Sequence, residues 1–440
     1  MIETVKDKVP EFAVLVGAYI GRDLGLADVH LDELESLVSA AGGTSVARLI
    51  QRFSDLRATS PATYIGSGKA AFLAELVEAN EATIVVFDNE LSPAQVRSLE
   101  EIVGCRVIDR SELILDIFAG RARSRESRLQ VELAQLQYTA PRLRGMWSHL
   151  ERQSGAGGAG GMGLRGPGEK QIEIDRRIIS KRLSRLRAEL EVIHKRRKRE
   201  VNARVGRHFC VGLVGYTNAG KSTLLNSLTA AGTYSADQLF ATLDTKTRRW
   251  GLPGGIDTML SDTVGFVRDL PHQLVASFRS TLQEALEADL LLHVIDASHP
   301  QVMEQIATVE EVLEDLGCDL AKLICVLNKV DLIDEAGEGE DVITVLRARL
   351  PETVVISAAT GAGTDDLSRL VLQRYKESCT LFRITAPVSS GKLQAFARAN
   401  CGVEDETYDG EHWTAELNVP ESLVARLRAL CPEARFERLR

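Results

Sequence analysis

Eight consecutive residues, Gly215-Tyr216-Thr217-Asn218-Ala219-Gly220-Lys221-Ser222, fill every fixed position of the pattern G-x-x-x-x-G-K-[ST]. Those residue types in that order suit one chemistry. Glycines at both ends let the backbone curl, so that successive N–H groups and the N-terminus of a following helix face an anionic phosphate. Lys221 can then reach the β- and γ-phosphates as a point charge, and the Ser222 hydroxyl can join a magnesium shell.

Three spaced partners follow. Asp262-Thr263-Val264-Gly265 comes after the run Thr258-Met259-Leu260; an acidic residue at a strand end can hold magnesium through water, and Gly265 lets the backbone approach a γ-phosphate closely. Asn328-Lys329-Val330-Asp331 closes the strand-like run 323–327. A carboxylate at Asp331 can accept from both the N1 and the exocyclic N2 donors of guanine, a pair that adenine does not offer, so GTP and GDP are the expected nucleotides. Ser357-Ala358-Ala359, after Val354-Val355-Ile356, stands where a backbone N–H can meet the guanine carbonyl.

A phosphate loop needs a strand before it and a helix after it. Phe209, Val211, Leu213 and Val214 supply an apolar strand over 208–214, and 222–229 reads as the helix. Residues 206–377 are therefore expected to form a P-loop GTPase domain, a mixed and mostly parallel sheet flanked by helices.

Residues 1–120 alternate short apolar runs (13–16, 84–87, 107–108) with helical patterns (31–40, 93–103), which predicts a small α/β domain with a largely parallel sheet. Tyr64-Ile65-Gly66-Ser67-Gly68-Lys69 is a second glycine–lysine loop within it. It is too short for the phosphate pattern and has no Ser or Thr after the lysine, so it reads as a strand-to-helix turn.

Residues 121–205 carry Leu129, Leu133, Leu136, Ala140, Leu143, Trp147 and Leu150 at alternating steps of four and three, and the rhythm returns at Ile179, Leu183, Leu186, Leu190 and Ile193. The spacing predicts an antiparallel helical hairpin with a glycine-rich tip at 154–168, its first arm kinked or started late by Pro141. Residues 378–440 read as a small α+β tail of β-α-β type.

Net charge is −9, yet 22 Lys/Arg face only 9 Asp/Glu between Arg121 and His208, leaving 31 basic and 53 acidic residues elsewhere. A basic module inside an acidic protein points to a local polyanion contact. Arg142, Arg144, Arg152 and Arg165 ride towards the tip, Arg176, Arg177, Lys181, Arg182, Arg185 and Arg187 along the second arm, and Lys195-Arg196-Arg197-Lys198-Arg199 close it. Only Tyr138 and Trp147 interleave the charges, which favours backbone and shape recognition of folded RNA over base stacking.

Seven cysteines without a C-x-x-C pair predict reduced thiols and a cytoplasmic location, with at most part of the protein on a membrane surface. Neither an apolar leader nor an 18-residue apolar run is present, so neither secretion nor a membrane span is expected.

Taken together these motifs resemble the HflX family of ribosome-associated GTPases. Gly166-Pro167-Gly168-Glu169 with Gln171, Glu173 and Asp175-Arg176-Arg177 is similar to the family's glycine-loop signature. Gly215 to Thr223, Phe240-Ala241-Thr242-Leu243-Asp244 and Asp262 to Pro271 are similar to its phosphate-loop and switch segments. The family usually has proline after the switch aspartate, where Thr245 stands here. The resemblance implies that Thr242 meets magnesium and γ-phosphate, that Phe240 and Thr223 belong to the nucleotide site, and that the partner is the large ribosomal subunit and its rRNA. It also implies that the hairpin tip reaches towards the peptidyl-transferase centre and that the protein splits stalled ribosomes. An RNA-modification or ribosome-assembly GTPase is the alternative, and a monomer is expected in either case.

Lys221, Thr242 and Gly265 are the residues expected at the reacting phosphate. Many GTPases place glutamine after the D-x-x-G glycine; here it is Phe266, whose phenyl ring cannot orient a water, so slow intrinsic turnover is expected. Asn218 reads equally as the ligand of a potassium ion that substitutes for an arginine finger and as a loop-stabilising asparagine.

Overall fold

The computed structural model describes residues 11–54, 59–154, 167–205, 209–229, 240, 246–271, 274, 287–333 and 338–439. The chain divides into two compact units, Met1–Val192 with Asp269–Phe278, and Ile193–Arg268 with Arg279–Arg440.

The first unit is built on β1 (Phe12–Ile20), α1 (Ala27–Ala41), β2 (Thr44–Phe53), α2 (Ser67–Ala79), β3 (Ile84–Phe87), α3 (Pro93–Val103), β4 (Arg106–Asp109) and α4 (Arg110–Arg121). Its sheet has the order β2-β1-β3-β4 and is parallel throughout, as the alternation of runs predicts. β3 is buried at every position, because helices cover both faces of a parallel sheet. β2 was not expected: its polar residues leave it half-buried at the sheet edge. The Gly66 loop enters α2 from a bend closed by the Ser60–Tyr64 bridge rather than from a regular strand.

α5 (Arg125–Ser154) and α6 (Pro167–Val205) are the two arms of the expected hairpin. Arg125 meets Glu189 at 3.2 Å and Arg182 meets Glu132 at 2.6 Å, so the register runs antiparallel. Leu129, Leu133, Leu186 and Leu190 are buried, as heptad spacing requires. α5 buries Val131, Ala134 and Tyr138 as well, and the Tyr138 hydroxyl donates to the Asp109 carboxylate. Pro141 does not delay α5, which begins at Arg125 and runs continuously past it. Residues 155–166 of the predicted tip lie outside the described residues.

The second unit contains β5 (Phe209–Val214), α7 (Lys221–Leu228), β6 (Lys246–Leu252), β7 (Ile256–Asp262), β8 (Leu290–Asp296), α8 (Val302–Asp315), β9 (Leu323–Asn328), α9 (Glu338–Arg349), β10 (Thr353–Val355) and α10 (Thr364–Ser378). The sheet order is β10-β9-β8-β5-β7-β6, parallel except for β6, which pairs antiparallel with β7. β5 is thus an interior strand, and the phosphate loop leaves from the middle of the sheet.

The same unit ends in β11 (Cys379–Pro387), α11 (Gly391–Asn400), β12 (Gly402–Tyr408), β13 (His412–Pro420), α12 (Glu421–Leu430) and β14 (Arg435–Arg438), a four-stranded antiparallel sheet of order β12-β13-β11-β14. The expected β-α-β is thus a longer β-α-β-β-α-β, with Trp413, Ile384, Leu417 and Leu427 in its core. All seven cysteines are free thiols, and among the described residues no helix is long and apolar enough to cross a membrane.

Candidate functional site

β5 ends at Val214, and the chain turns through Gly215 to reach α7 at Lys221. Two glycines make that turn in backbone space that no side chain can enter. Gly215 sits at φ 150°, where a Cβ would stand 2.2 Å from the Val294 carbonyl oxygen; Gly220, at φ 95°, would put one 2.3 Å from Asn328 Nδ2. The loop is therefore pressed against the ends of β8 and β9, and only glycine fits there.

Lys221 is 6% exposed, and its ammonium donates to the carbonyl oxygens of Gly215 at 2.9 Å and Tyr216 at 2.7 Å. Burial lowers its pKa to about 8, opposed in part by the charge of Asp262. The Ser222 hydroxyl donates to Asp262 Oδ2 at 2.7 Å, which brings the loop serine and the D-x-x-G aspartate together. Both are hard oxygen donors, the set that magnesium takes.

Gly265 is packed beside the same lysine: a Cβ there would lie 2.9 Å from Thr217 Cγ2 and 3.1 Å from Lys221 Nζ. The following residue locks this segment to the phosphate loop. The Thr217 N–H donates to the Phe266 carbonyl at 2.6 Å, and the Phe266 N–H donates to the Gly215 carbonyl at 3.2 Å. The phenyl ring is 2% exposed and faces the interior, so Phe266 is a packing residue. Tyr216 adds a third tie, its hydroxyl oxygen accepting the Arg268 N–H at 2.7 Å.

The base-recognition motif converges on the same loop. Asn328 Nδ2 donates to the Ala219 carbonyl at 2.8 Å, and its Oδ1 accepts the Ala358 N–H at 2.9 Å. One buried amide thereby joins the phosphate loop, the N-K-x-D segment and Ser357-Ala358-Ala359. The Ser357 N–H is used locally by the Ala362 carbonyl. Asp331 is exposed. Asn218, also exposed, adopts φ 61°, a left-handed conformation that asparagine tolerates better than most residues. Phe240 is buried at φ 55°, and Thr223 is half-buried on α7. Thr242 and its neighbours 241–245 lie outside the described residues.

Three contributors were not singled out from the sequence. Thr263 donates its hydroxyl to the Leu213 carbonyl at 2.6 Å, tying the end of β7 to β5. His293, buried on β8 opposite Val214, has its pKa pushed down to about 3 by burial and by the nearby Lys221 charge. Asp296, at the end of β8, meets the Lys329 ammonium at 2.7 Å. A polar residue interrupting the run Leu290–Ile295 was a visible signal for His293; an aspartate closing a strand was the only one for Asp296.

The geometry brings the phosphate loop, the D-x-x-G segment and the N-K-x-D segment together, and the chain is similar to known GTPases. Residues 28–119 match the family described as GTP-binding GTPase N-terminal, 121–204 the GTP-binding GTPase middle region, and 210–329 the 50S ribosome-binding GTPase family. The GTPase HflX of Escherichia coli (strain K12) is 46% identical over 424 residues, covering 96% of this chain and 96% of its own length. The GTPase HflX of Chlamydia pneumoniae is 41% identical over 428 residues, covering 96% and 89%. A crystal structure of a GTP-binding protein from Sulfolobus solfataricus in complex with GDP is 24% identical, with a TM-score of 0.42, covering 83% of this chain and 98% of that one.

Proposed function

The chain belongs to the HflX GTPase family, and on that footing we propose that it is a GTP-controlled factor that docks on the large ribosomal subunit and splits or rescues stalled ribosomes. GTP hydrolysis to GDP and phosphate is its enzymatic activity. The observation that carries the ribosomal reading is the charge on α6: Arg177, Lys181, Arg185, Arg187, Lys195, Arg196 and Arg199 are all exposed along one helix of the hairpin. Such a row neutralises phosphates of a folded RNA, releasing counterions.

Within the nucleotide site, the loop would meet the phosphates with the amides left after the Thr217 and Ala219 N–H groups are bonded within the protein, and Lys221 would reach the β- and γ-phosphates. Ser222 and Asp262, with Thr242, would hold magnesium, which would supply neutralisation of the charge developing on the phosphoryl oxygens. Asp331 reads the guanine edge. With the Ser357 and Ala358 N–H groups already used, the Ala359 N–H is the one assigned to the guanine carbonyl. Because Phe266 is turned inward, the chain itself offers no side chain at that position to orient water, and the ribosome supplies the order that speeds turnover. Asn218 is assigned a potassium ion beside the phosphates, a role that its exposed side chain permits. The segments around Thr242 and Gly265 pass the γ-phosphate state to the hairpin.

Centrifugation of ribosomes with the full-length protein tests this reading. Pelleting with the large subunit is expected to be strong with GTP or a non-hydrolysable analogue and weak with GDP, and intact ribosomes should separate into subunits with the analogue alone. Neutralising Lys195 to Arg199 should lower the salt slope of binding by about one per lost phosphate contact. Equal pelleting in all nucleotide states would overturn the proposal; nucleotide-dependent pelleting without subunit separation would favour the assembly or RNA-modification reading instead.

A further inference from the structure

The lysine of the base-recognition motif has a partner that no motif accounts for. Asp296 closes β8 directly opposite Asn328 on β9, and the two strands stay joined past their ends by the Ala297 N–H donating to the Asn328 carbonyl at 3.0 Å. The Asp296 carboxylate is itself fixed before it meets the lysine: Oδ1 accepts the Ser298 N–H at 3.1 Å and the Ser298 hydroxyl at 2.6 Å. Oδ2 is then left for the Lys329 ammonium at 2.7 Å.

Lys329 is in turn constrained at both ends of its side chain. Its backbone is left-handed at φ 62°, a conformation rare outside glycine, and its side chain is only 23% exposed where lysines are ordinarily solvated. The residue before it, Asn328, spends its amide on the phosphate loop and on Ala358. The residue two further on is Asp331, assigned to the guanine edge.

We propose that Asp296 is a positioning residue for guanine-nucleotide binding: by pinning the Lys329 ammonium it holds the lysine methylenes as a fixed apolar ledge for the purine ring. An untethered lysine would lose its rotamer freedom each time a nucleotide bound, whereas a tethered one has lost it already on folding. The effect falls on nucleotide retention and not on the phosphoryl step. This assignment rests on the guanine-site reading above and deepens it.

The test is a double-mutant cycle on the full-length protein, with equilibrium affinity and release rate of a fluorescent GDP measured beside single-turnover GTP hydrolysis. Asp296→Asn is expected to weaken GDP and GTP binding roughly tenfold, mostly through faster release, with the hydrolysis rate of bound GTP unchanged. Asp296→Glu should recover part of the affinity. On a Lys329→Ala background, Asp296→Asn should cost nothing further, and the melting temperature of the nucleotide-free protein should not move. Unchanged affinity in Asp296→Asn, or the same loss on the Lys329→Ala background, overturns the assignment. If the unaltered protein does not prefer guanine, or keeps its preference in Asp331→Ala, the base-site reading fails and takes this assignment with it.

Discussion

Two loops in this chain combine glycines, a hydroxyl residue and a lysine at the start of a helix in a parallel-sheet unit, and they differ in almost every physical respect. At 215–222 the glycines are at φ 150° and 95° with neighbouring backbone or side-chain atoms where a Cβ would go, and the lysine is buried on two loop carbonyls. At 66–69 a Cβ on Gly66 or Gly68 would meet nothing within 4 Å, and the Lys69 ammonium lies over the exposed Phe72 ring at 5.7 Å. The difference shows what makes a phosphate loop. A backbone wedged against the ends of β8 and β9 is held in one curled conformation, whereas a loop in open space is only the beginning of a helix.

That contrast is most severely tested by removing each lysine. Lys221→Ala should abolish measurable GTP binding, a loss of more than about a hundredfold, because the site loses a buried cation, while Lys69→Ala should leave the affinity unchanged. Calorimetric titration with GTP decides it, and a comparable loss from Lys69→Ala would dissolve the distinction between the loops.

Acidity gives a smaller effect. Burial holds the Lys221 pKa at about 8, and a bound triphosphate must raise it, so binding takes up a proton once the pH exceeds that value. GTP affinity should be flat up to about pH 8 and then fall, by at most about tenfold per unit. The stability of the nucleotide-free protein should move in the opposite direction. A lysine whose folded pKa lies below its unfolded value costs stability while charged, so this contribution improves as the pH rises from about 8 towards 10.5.

The smallest expected effect concerns the glycines. Gly68 lies in the first turn of α2 with room for a Cβ, so Gly68→Ala should raise stability by about 0.5 kcal/mol in urea titration, through a less flexible unfolded chain. A destabilised Gly68→Ala would show that this loop, too, is under a constraint that its open surroundings conceal.

Three of the four strands missed in reading the sequence have one thing in common; the fourth, β8, is an interior strand whose apolar run Leu290–Ile295 was visible and was not singled out. β2, β6 and β12 each lie at the edge of their sheet. Central strands such as β3 and β9 are buried along their whole length and declare themselves as apolar runs. Edge strands carry charges that discourage pairing with other chains: Arg48 and Arg52 in β2, Lys246, Arg248 and Arg249 in β6, Glu404, Asp405 and Glu406 in β12. A polar run of that kind reads as loop because its hydrogen bonds, not its side chains, place it in the sheet. In the tail, α11 was missed together with β12, so that the expected β-α-β fell short of the six elements present. Pro141 does not start α5 late, because the helix is already packed over 129–138, where Leu129, Val131, Leu133, Ala134 and Tyr138 are buried.

The sequence alone determined the chemistry of the phosphate loop, because Gly215, Gly220, Lys221 and Ser222 act through backbone geometry that covalent neighbours dictate. The N-K-x-D segment was legible for a similar reason, as its four residues 328–331 are consecutive. Only the tertiary structure decided that the Asn328 amide joins Ala219 to Ala358, that Phe266 turns inward, and that Asp296 takes the Lys329 ammonium. Those contacts join residues far apart in the chain or depend on what a side chain packs against, and neither exists until the strands β5, β8 and β9 lie side by side.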